Sequence, residues 1–280
     1  MSTVTISAAD VNKLRKQTGA GMMDCKKALV EANGDFEAAV DYLRKKGQKV
    51  SASRSDREAK EGAAKAYVNQ AGSKGIILEL NCETDFVAKN EDFVALADSL
   101  ANAALNSDAN TIDEVKALSI DGKTIADIIT ENIGKIGEKI EISSFEVVNA
   151  EQVVAYTHAG NKIGVLVALN KSTTDEGVAL SRDIAMQIAA MRPLAVDRDG
   201  IDAETIERER TIAKEQILAE GKPENMVDKI AEGKLNKFFK ENTLVNQAFV
   251  KDSSKTVKQV LTDLDSELKV VDFKRVELGA

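Results

Sequence analysis

GIILELN, residues 75–81, recurs as GVLVALN at residues 164–170, and this pair decides the fold. An Ala-Tyr step stands ahead of each copy, Ala66-Tyr67 and Ala155-Tyr156, so both markers share one offset of 89 residues. Each copy reads as a strand, a turn containing glycine, an apolar strand, a polar loop and a long helix. The first helix carries Phe93, Leu96, Ala97, Leu100, Ala101 and Ala104 at helical spacing; the second carries Leu180, Ile184, Ala185, Ile188 and Ala189. Two strands joined by a short turn are antiparallel. Neither strand–helix turn has a phosphate-binding glycine fingerprint. The pattern predicts an α+β core of two similar subdomains with antiparallel strands, rather than a doubly wound sheet.

The copies part company in the loop after the apolar strand. The first has NCETDFVAKN, residues 81–90; the second has KSTTDEG, residues 171–177, without the aromatic. A repeated scaffold with one specialised loop assigns chemistry to the first copy, since function concentrates on loops positioned by a rigid frame. In that loop Asp85 and Phe86 are neighbours. Two readings are open: Phe86 is a wedge pressed against another protein, or it is a core residue starting the next helix.

Upstream, Ser7 caps a helix over residues 8–17 with Val11 and Leu14 inward. Thr18-Gly19-Ala20-Gly21 breaks it. A second helix over residues 22–32 turns Cys25, Ala28 and Leu29 to one face. Asp35 opens a third, with Phe36, Ala39, Val40 and Leu43 in register, and Gly47 is expected to end it. These make a three-helix bundle. Met22 and Met23 are adjacent and cannot both face one core, so one of them is exposed, and flexible thioethers suit an adaptable surface. Residues 48–62 read as a linker or a solvated helix.

Between the copies, residues 112–118 and 124–132 are helical. Ile136-Gly137-Glu138 sits at a helix-to-strand corner. His158, the lone histidine, follows a strand ending at Tyr156-Thr157. Met191-Arg192-Pro193 ends the second long helix. A charged helical hairpin follows: residues 203–220, the turn Gly221-Lys222-Pro223, then a return helix with Val227, Ile230, Ala231, Leu235 and Phe238. Its apolar stripe is narrow, so it projects as a coiled-coil arm. The arm either packs on itself or pairs with another chain. Residues 246–252 are expected to be a loop, 254–264 a helix and 268–278 a closing strand.

The chain has 280 residues and a formal net charge of −8, which argues against general nucleic-acid binding. Residues 1–54 carry ten Lys/Arg against six Asp/Glu, so a basic module of +4 precedes a body of −12. No apolar run approaches a membrane span and the N-terminus MSTVTISAAD lacks a basic–apolar leader, which predicts a cytoplasmic protein without membrane contact. Cys25 and Cys82 are expected to be free thiols. One histidine and two separated cysteines lack zinc-site spacing, so no metal or cofactor is expected. No P-loop, nucleophile elbow or kinase signature is present. Three classes compete: a protein–protein binder acting through the Thr84–Val87 loop, an adaptor whose bundle binds a peptide or ubiquitin-like partner, and an enzyme using Asp85 or Glu83 with His158.

LRKQTGAGMMDCKKAL, residues 14–29, and NCETDFVAKN resemble the two signatures of bacterial elongation factor Ts. The resemblance continues through YTHAGNKIGVLV, the arm and QAFVKD, and covers nearly the whole chain. It implies a non-enzymatic guanine-nucleotide exchange factor for elongation factor Tu, bound in its GDP-loaded and nucleotide-free states. It further implies a ubiquitin-associated-like domain at 1–54, core subdomains at 55–149 and at 150–200 with 240–280, and the arm at 201–239. Pairing through the arm would make a dimer of complexes. By motif, Thr84, Asp85, Phe86 and Val87 match the segment that displaces magnesium from the nucleotide site. Arg15, Met22 and Met23 match N-terminal contacts to the GTPase domain, Ile136, Gly137 and His158 further core contacts, and Phe249 and Val250 a late contact loop. Ala248 departs from the family, which often has proline there.

Overall fold

The structure, a computed structural model, describes residues 5–279; the first four residues of the N-terminal stretch and Ala280 lie outside it. Three helices come first: α1 (Ala8–Thr18), α2 (Met22–Glu31) and α3 (Phe36–Arg54). Next come β1 (Glu61–Val68), β2 (Lys74–Cys82), the single turn α4 (Asp85–Ala88), α5 (Glu91–Leu105) and α6 (Ile112–Ala117). The first unit closes with the short strands β3 (Ser119–Ile120) and β4 (Lys123–Thr124), α7 (Ile125–Ile136) and β5 (Ile140–Asn149). The second unit has β6 (Gln152–Thr157), β7 (Ile163–Leu169) and α8 (Asp175–Met191), then the hairpin α9 (Ala203–Ala219) and α10 (Glu224–Asn242). It ends with β8 (Ala248–Phe249), β9 (Asp252–Thr256), α11 (Val257–Leu264) and β10 (Val270–Glu277). The fold is α+β, and the strands pair antiparallel.

The repeated stretch supplies the central strand of each sheet. β2 lies between β1 and β5, and β7 between β6 and β10. A central strand covered on both faces explains why each copy is nearly continuously apolar rather than alternating; Glu79, the exception in the first copy, is buried and accepts the Asn81 amide at 2.9 Å. Ile76, Leu78 and Leu80 face a core with Phe93, Ala97 and Leu100 of α5; Ile77 faces the other sheet. In the second copy Val165, Val167 and Leu169 face Ile184, Ala185 and Ile188 of α8, while Leu166 and Ala168 face back. The sheets meet through reciprocal close approaches. A methyl on Gly75 would lie 2.7 Å from Val153 Cγ1 and 2.9 Å from Leu166 Cδ2. A methyl on Gly164 would lie 2.8 Å from Ile77 Cγ2. Each copy's glycine thus receives an aliphatic side chain from the other copy, two residues beyond the matching glycine. The two units are therefore related by an approximate two-fold.

The N-terminal bundle closes on Leu14, Cys25, Ala28, Leu29 and Ala39. Ser7 and Asp10 cap α1 reciprocally: the Asp10 N–H donates to the Ser7 hydroxyl at 3.1 Å and the Ser7 N–H to the Asp10 carboxylate at 3.2 Å. The expected stop at Gly47 does not occur, because α3 runs on to Arg54. Gly47 is instead where α3 crosses α7. A methyl there would lie 3.1 Å from the Thr130 carbonyl oxygen, and one on Gly134 would lie 2.8 Å from Gly47 Cα. Two glycines let the backbones touch, which is worth the roughly 0.5–1 kcal/mol each costs in a helix. The charged segment up to Arg54 is therefore solvated helix.

The arm's seam is buried within the hairpin by Ala213, Ile217, Val227 and Ala231, with Leu235 and Phe239 at its root. Phe239 takes the buried place expected of Phe238, which is half-buried. Helix α10 extends to Asn242, past the expected end of the arm. Residues 246–252 are not a plain loop: a 3-10 turn, Leu244–Asn246, leads into the β8–β9 hairpin. Ser254 belongs to that hairpin, and α11 begins only at Val257. Among the described residues no helix is long and apolar enough to cross a membrane.

Candidate partner-docking site

The NCETDFVAKN stretch folds as the end of β2, a bend and the single helical turn α4. Thr84 caps that turn by accepting the Val87 N–H at 3.4 Å. It is itself held by Glu138: the Thr84 hydroxyl donates to one carboxylate oxygen at 2.7 Å and the Thr84 N–H to the other at 3.1 Å. Successive helical residues point about 100° apart. Val87 and Ala88 turn inward against the first unit's core, so Phe86 must point out, and it is 83% exposed. The reading of Phe86 as a core residue is thereby overturned. Asp85 forms an exposed i, i+4 pair with Lys89 at 2.6 Å. The hydrogen bond from Lys89 holds the Asp85 carboxyl below its ordinary value.

Beneath the turn, Glu83 is the fastener. Its carboxylate accepts Arg54 Nη1 at 3.1 Å, Arg57 Nη1 at 3.2 Å and the Lys139 N–H at 2.6 Å. Burial pushes this carboxyl up, but the Lys139 N–H, Arg57 and Arg54 together outweigh it and leave it below the ordinary glutamate value. The end of α3, the α4 turn and the start of β5 therefore share one ionic clasp. The Cys82 thiol donates to the Thr84 carbonyl at 3.2 Å, and burial, then the Glu138 charge, pushes its pKa up to about 12. It is a free thiol, as is buried Cys25.

Ile136 and Gly137 lie at the corner next to Glu138. Gly137 closes α7 in the left-handed conformation at φ +81°, and Ile136 is 39% exposed. The turn before α2 abuts that corner, since a methyl on Gly19 would lie 3.3 Å from Lys135 Nζ. Met22 and Met23 follow this turn, and both are exposed, not one. The reason is that Cys25, Ala28 and Leu29 already fill the inward face of α2. Arg15 is exposed on α1. His158 is exposed in the β6–β7 turn, its Nδ1 at 2.8 Å from the Tyr156 hydroxyl. That turn docks on β1, where the Ala64 N–H donates to the Asn161 carbonyl at 2.7 Å, and α4 packs on the same strand. Glu83, Asp85 and His158 thus spend their hydrogen bonds on three separate sets of partners.

Phe249 and Val250 lie apart in the second unit. Phe249 is buried in that unit's core, whereas Val250 is half-exposed at the tip of the β8–β9 hairpin. An exposed role for Phe249 is corrected accordingly: strand pairing turns it inward beside Leu244 and Val257. Gln187 of α8, fully buried, fixes the tip. Its amide donates to Gln247 Oε1 at 3.0 Å and to the Ala248 carbonyl at 3.1 Å, and its carbonyl accepts the Val250 N–H at 3.0 Å. Sequence reading placed Glu138 at its corner without a role, passed over Gln187, and missed the fastening role of Glu83. Glu83 stood beside the acid–aromatic pair; Gln187, a polar residue amid apolar positions of α8, was the only other signal.

The α+β frame thus holds Phe86 and Val250 out in solvent, with Glu138 fixing the first turn and Gln187 the second, beside exposed Met22, Met23 and Ile136, an arrangement of the class that docks on another protein. The chain belongs to the elongation factor Ts family. The family model "Elongation factor TS" matches residues 83–280. The chain is 53% identical to elongation factor Ts of Amoebophilus asiaticus over 277 residues, covering 99% of this chain and 100% of the relative. It is 54% identical to elongation factor Ts of Christiangramia forsetii over 274 residues, covering 98% and 99%, and 47% identical to that of Porphyromonas gingivalis over 280 residues, covering 99% and 100%.

Proposed function

We propose that this chain is a guanine-nucleotide exchange factor of translation elongation. It binds elongation factor Tu in the cytoplasm, in GDP-bound and nucleotide-free states, and promotes GDP release by disturbing the magnesium/phosphate site. It acts without a cofactor or a catalytic residue of its own. The observation that carries this reading is Phe86, a large aromatic held in solvent on a capped turn that Glu138 and Glu83 anchor. Thr84, Asp85, Phe86 and Val87 form the displacing element. Arg15, Met22, Met23, Ile136, Gly137, His158 and Val250 supply further contact, with Phe249 supporting Val250 from the core. The division into a bundle at 1–54, a first core part at 55–149, a second at 150–200 with 240–280, and the arm at 201–239 belongs to the same reading.

Magnitudes shape the mechanism. A nucleotide held at nanomolar affinity corresponds to about 12 kcal/mol. Burying one phenylalanine yields about 1.5–3 kcal/mol. Phe86 therefore directs strain but cannot eject GDP alone; binding spread over bundle, corner and hairpin must stabilise a nucleotide-poor partner. Linkage is reciprocal, so GDP weakens factor binding by the same ratio. Magnesium is the vulnerable ligand because its octahedral shell tolerates little displacement. Elongation factor Tu loaded with fluorescent GDP tests this: on adding the chain with excess unlabelled nucleotide, release accelerates. Release at the spontaneous rate contradicts the reading.

A further inference from the structure

A cavity of about 320 Å³ lies between the N-terminal bundle and α7, away from the α4 turn. Ala20, Val40, Leu43 and the bare backbone of Gly134 give it an apolar floor. Its rim holds four cations, Arg44, Lys46, Lys123 and Lys135, against two carboxylates, Asp24 and Glu131. The pairing is uneven. Asp24 is taken by Lys46. Glu131 gives both oxygens to Lys123, at 2.7 and 2.8 Å, and Arg44 reaches it only at 3.9 Å. Lys135 has no carboxylate partner among the described residues, and its chain lies against the Gly19 turn. Two cations thus border the same cavity: Lys135 on α7 without a carboxylate partner among the described residues, and Arg44 on α3 with only a long contact to a Glu131 that Lys123 already holds.

We propose that this cavity binds a small phosphorylated molecule of about mononucleotide size. Its volume falls at the lower end of the range of small-molecule sites, and its lining sets the apolar Ala20, Val40 and Leu43 among Gln17, Thr18 and the charged side chains, which suits a ligand with one apolar part and one anionic part. Arg44 supplies a planar fork suited to two phosphate oxygens and Lys135 a point charge from the facing helix. The apolar floor takes a flat or compact organic body, so inorganic phosphate alone lacks most of the contact. The ligand would bridge α3 to α7 beside the Gly47–Gly134 crossing, and would tie the turn before Met22 to the corner at Ile136. Binding to the folded state alone raises the thermal midpoint by mass action.

The test uses the full chain at low ionic strength, with adenosine monophosphate, glucose 6-phosphate and sodium phosphate as probes, followed by calorimetric titration and thermal unfolding. At least one of the two organic phosphates is expected to bind saturably at one site per chain, more tightly than inorganic phosphate, and to raise the unfolding midpoint. Arg44→Gln and Lys135→Gln are each expected to weaken binding tenfold or more, with unchanged circular dichroism; Arg44→Lys recovers part of the loss. Lys251→Gln, far from the cavity in the second unit, leaves affinity unchanged. Failure of both organic phosphates to bind saturably, affinity no better than that of inorganic phosphate, or binding indifferent to Arg44→Gln and Lys135→Gln overturns the proposal. The exchange reading does not depend on the outcome.

Discussion

Phe86 owes its position to its neighbours: Thr84 and Glu138 fix the turn's start, and Val87 and Ala88 anchor its inner face. Glu138→Gln keeps the size but weakens two hydrogen bonds to a charged acceptor, which cost about 1.5–3 kcal/mol each when lost outright. The expected result is faster amide hydrogen exchange across α4 with the fold intact; unchanged protection would show that Glu138 does not hold the turn. Glu83 sets a pH dependence. Its folded-state pKa lies below the ordinary value of 4.5, so the unfolded chain binds more protons in that range. The stabilisation is complete above that value and is lost as pH falls through the lower folded value. Denaturant titrations from pH 7 to pH 3 are expected to show less loss of stability in Glu83→Gln than in the parent. A parallel decline would contradict this. The Cys82 thiol, pushed up to about 12 by burial and by Glu138, is expected to resist alkylation at pH 7 in the folded chain and to react on unfolding.

At the scale of elements, the α3–α7 crossing and the β8–β9 hairpin carry the argument. Gly47→Leu places a side chain against the Thr130 carbonyl, and overpacking of this kind costs about 1–3 kcal/mol. The expected signature is a lower denaturant midpoint together with increased protease sensitivity between residues 48 and 60; a wild-type midpoint would contradict the crossing. Gln187→Leu leaves Gln247 and the Val250 N–H without their buried partner, a penalty of about 1–3 kcal/mol for each unsatisfied group. These two elements also mark where the sequence became hard to read. Glycine in a helical pattern signals a stop or a close approach, and only the facing glycine at Gly134, far along the chain, decides between them. The tip of the β8–β9 hairpin is only Val250-Lys251, and its place depends on Gln187, some sixty residues upstream. Neither interaction leaves a local pattern.

For the whole molecule, the 89-residue repeat was legible because the central strand of each sheet is covered on both faces and its buried residues are apolar but for Glu79 and Asn81 near the end of β2, where the two side chains bond each other. The reciprocal seating of Gly75 and Gly164 was not, since it depends on how two sheets stack rather than on either strand. The arm's self-contained seam was likewise undecidable from periodicity, because an apolar stripe looks the same whether its partner is the next helix or another chain. The docking surface followed a mixed course. Phe86 was placed outside by resemblance and stays there in space, whereas Phe249, chosen on the same ground, turns inward. The account's central claim is that binding is spread over the molecule while Phe86 directs its effect. The direct test compares the parent chain and Phe86→Ala on elongation factor Tu loaded with fluorescent GDP, with the maximal release rate at saturating factor measured separately from affinity. Losing one buried phenylalanine, about 1.5–3 kcal/mol, is expected to cut that maximal rate by roughly tenfold or more while affinity for nucleotide-free partner falls by less. A maximal rate equal to that of the parent chain would contradict the claim.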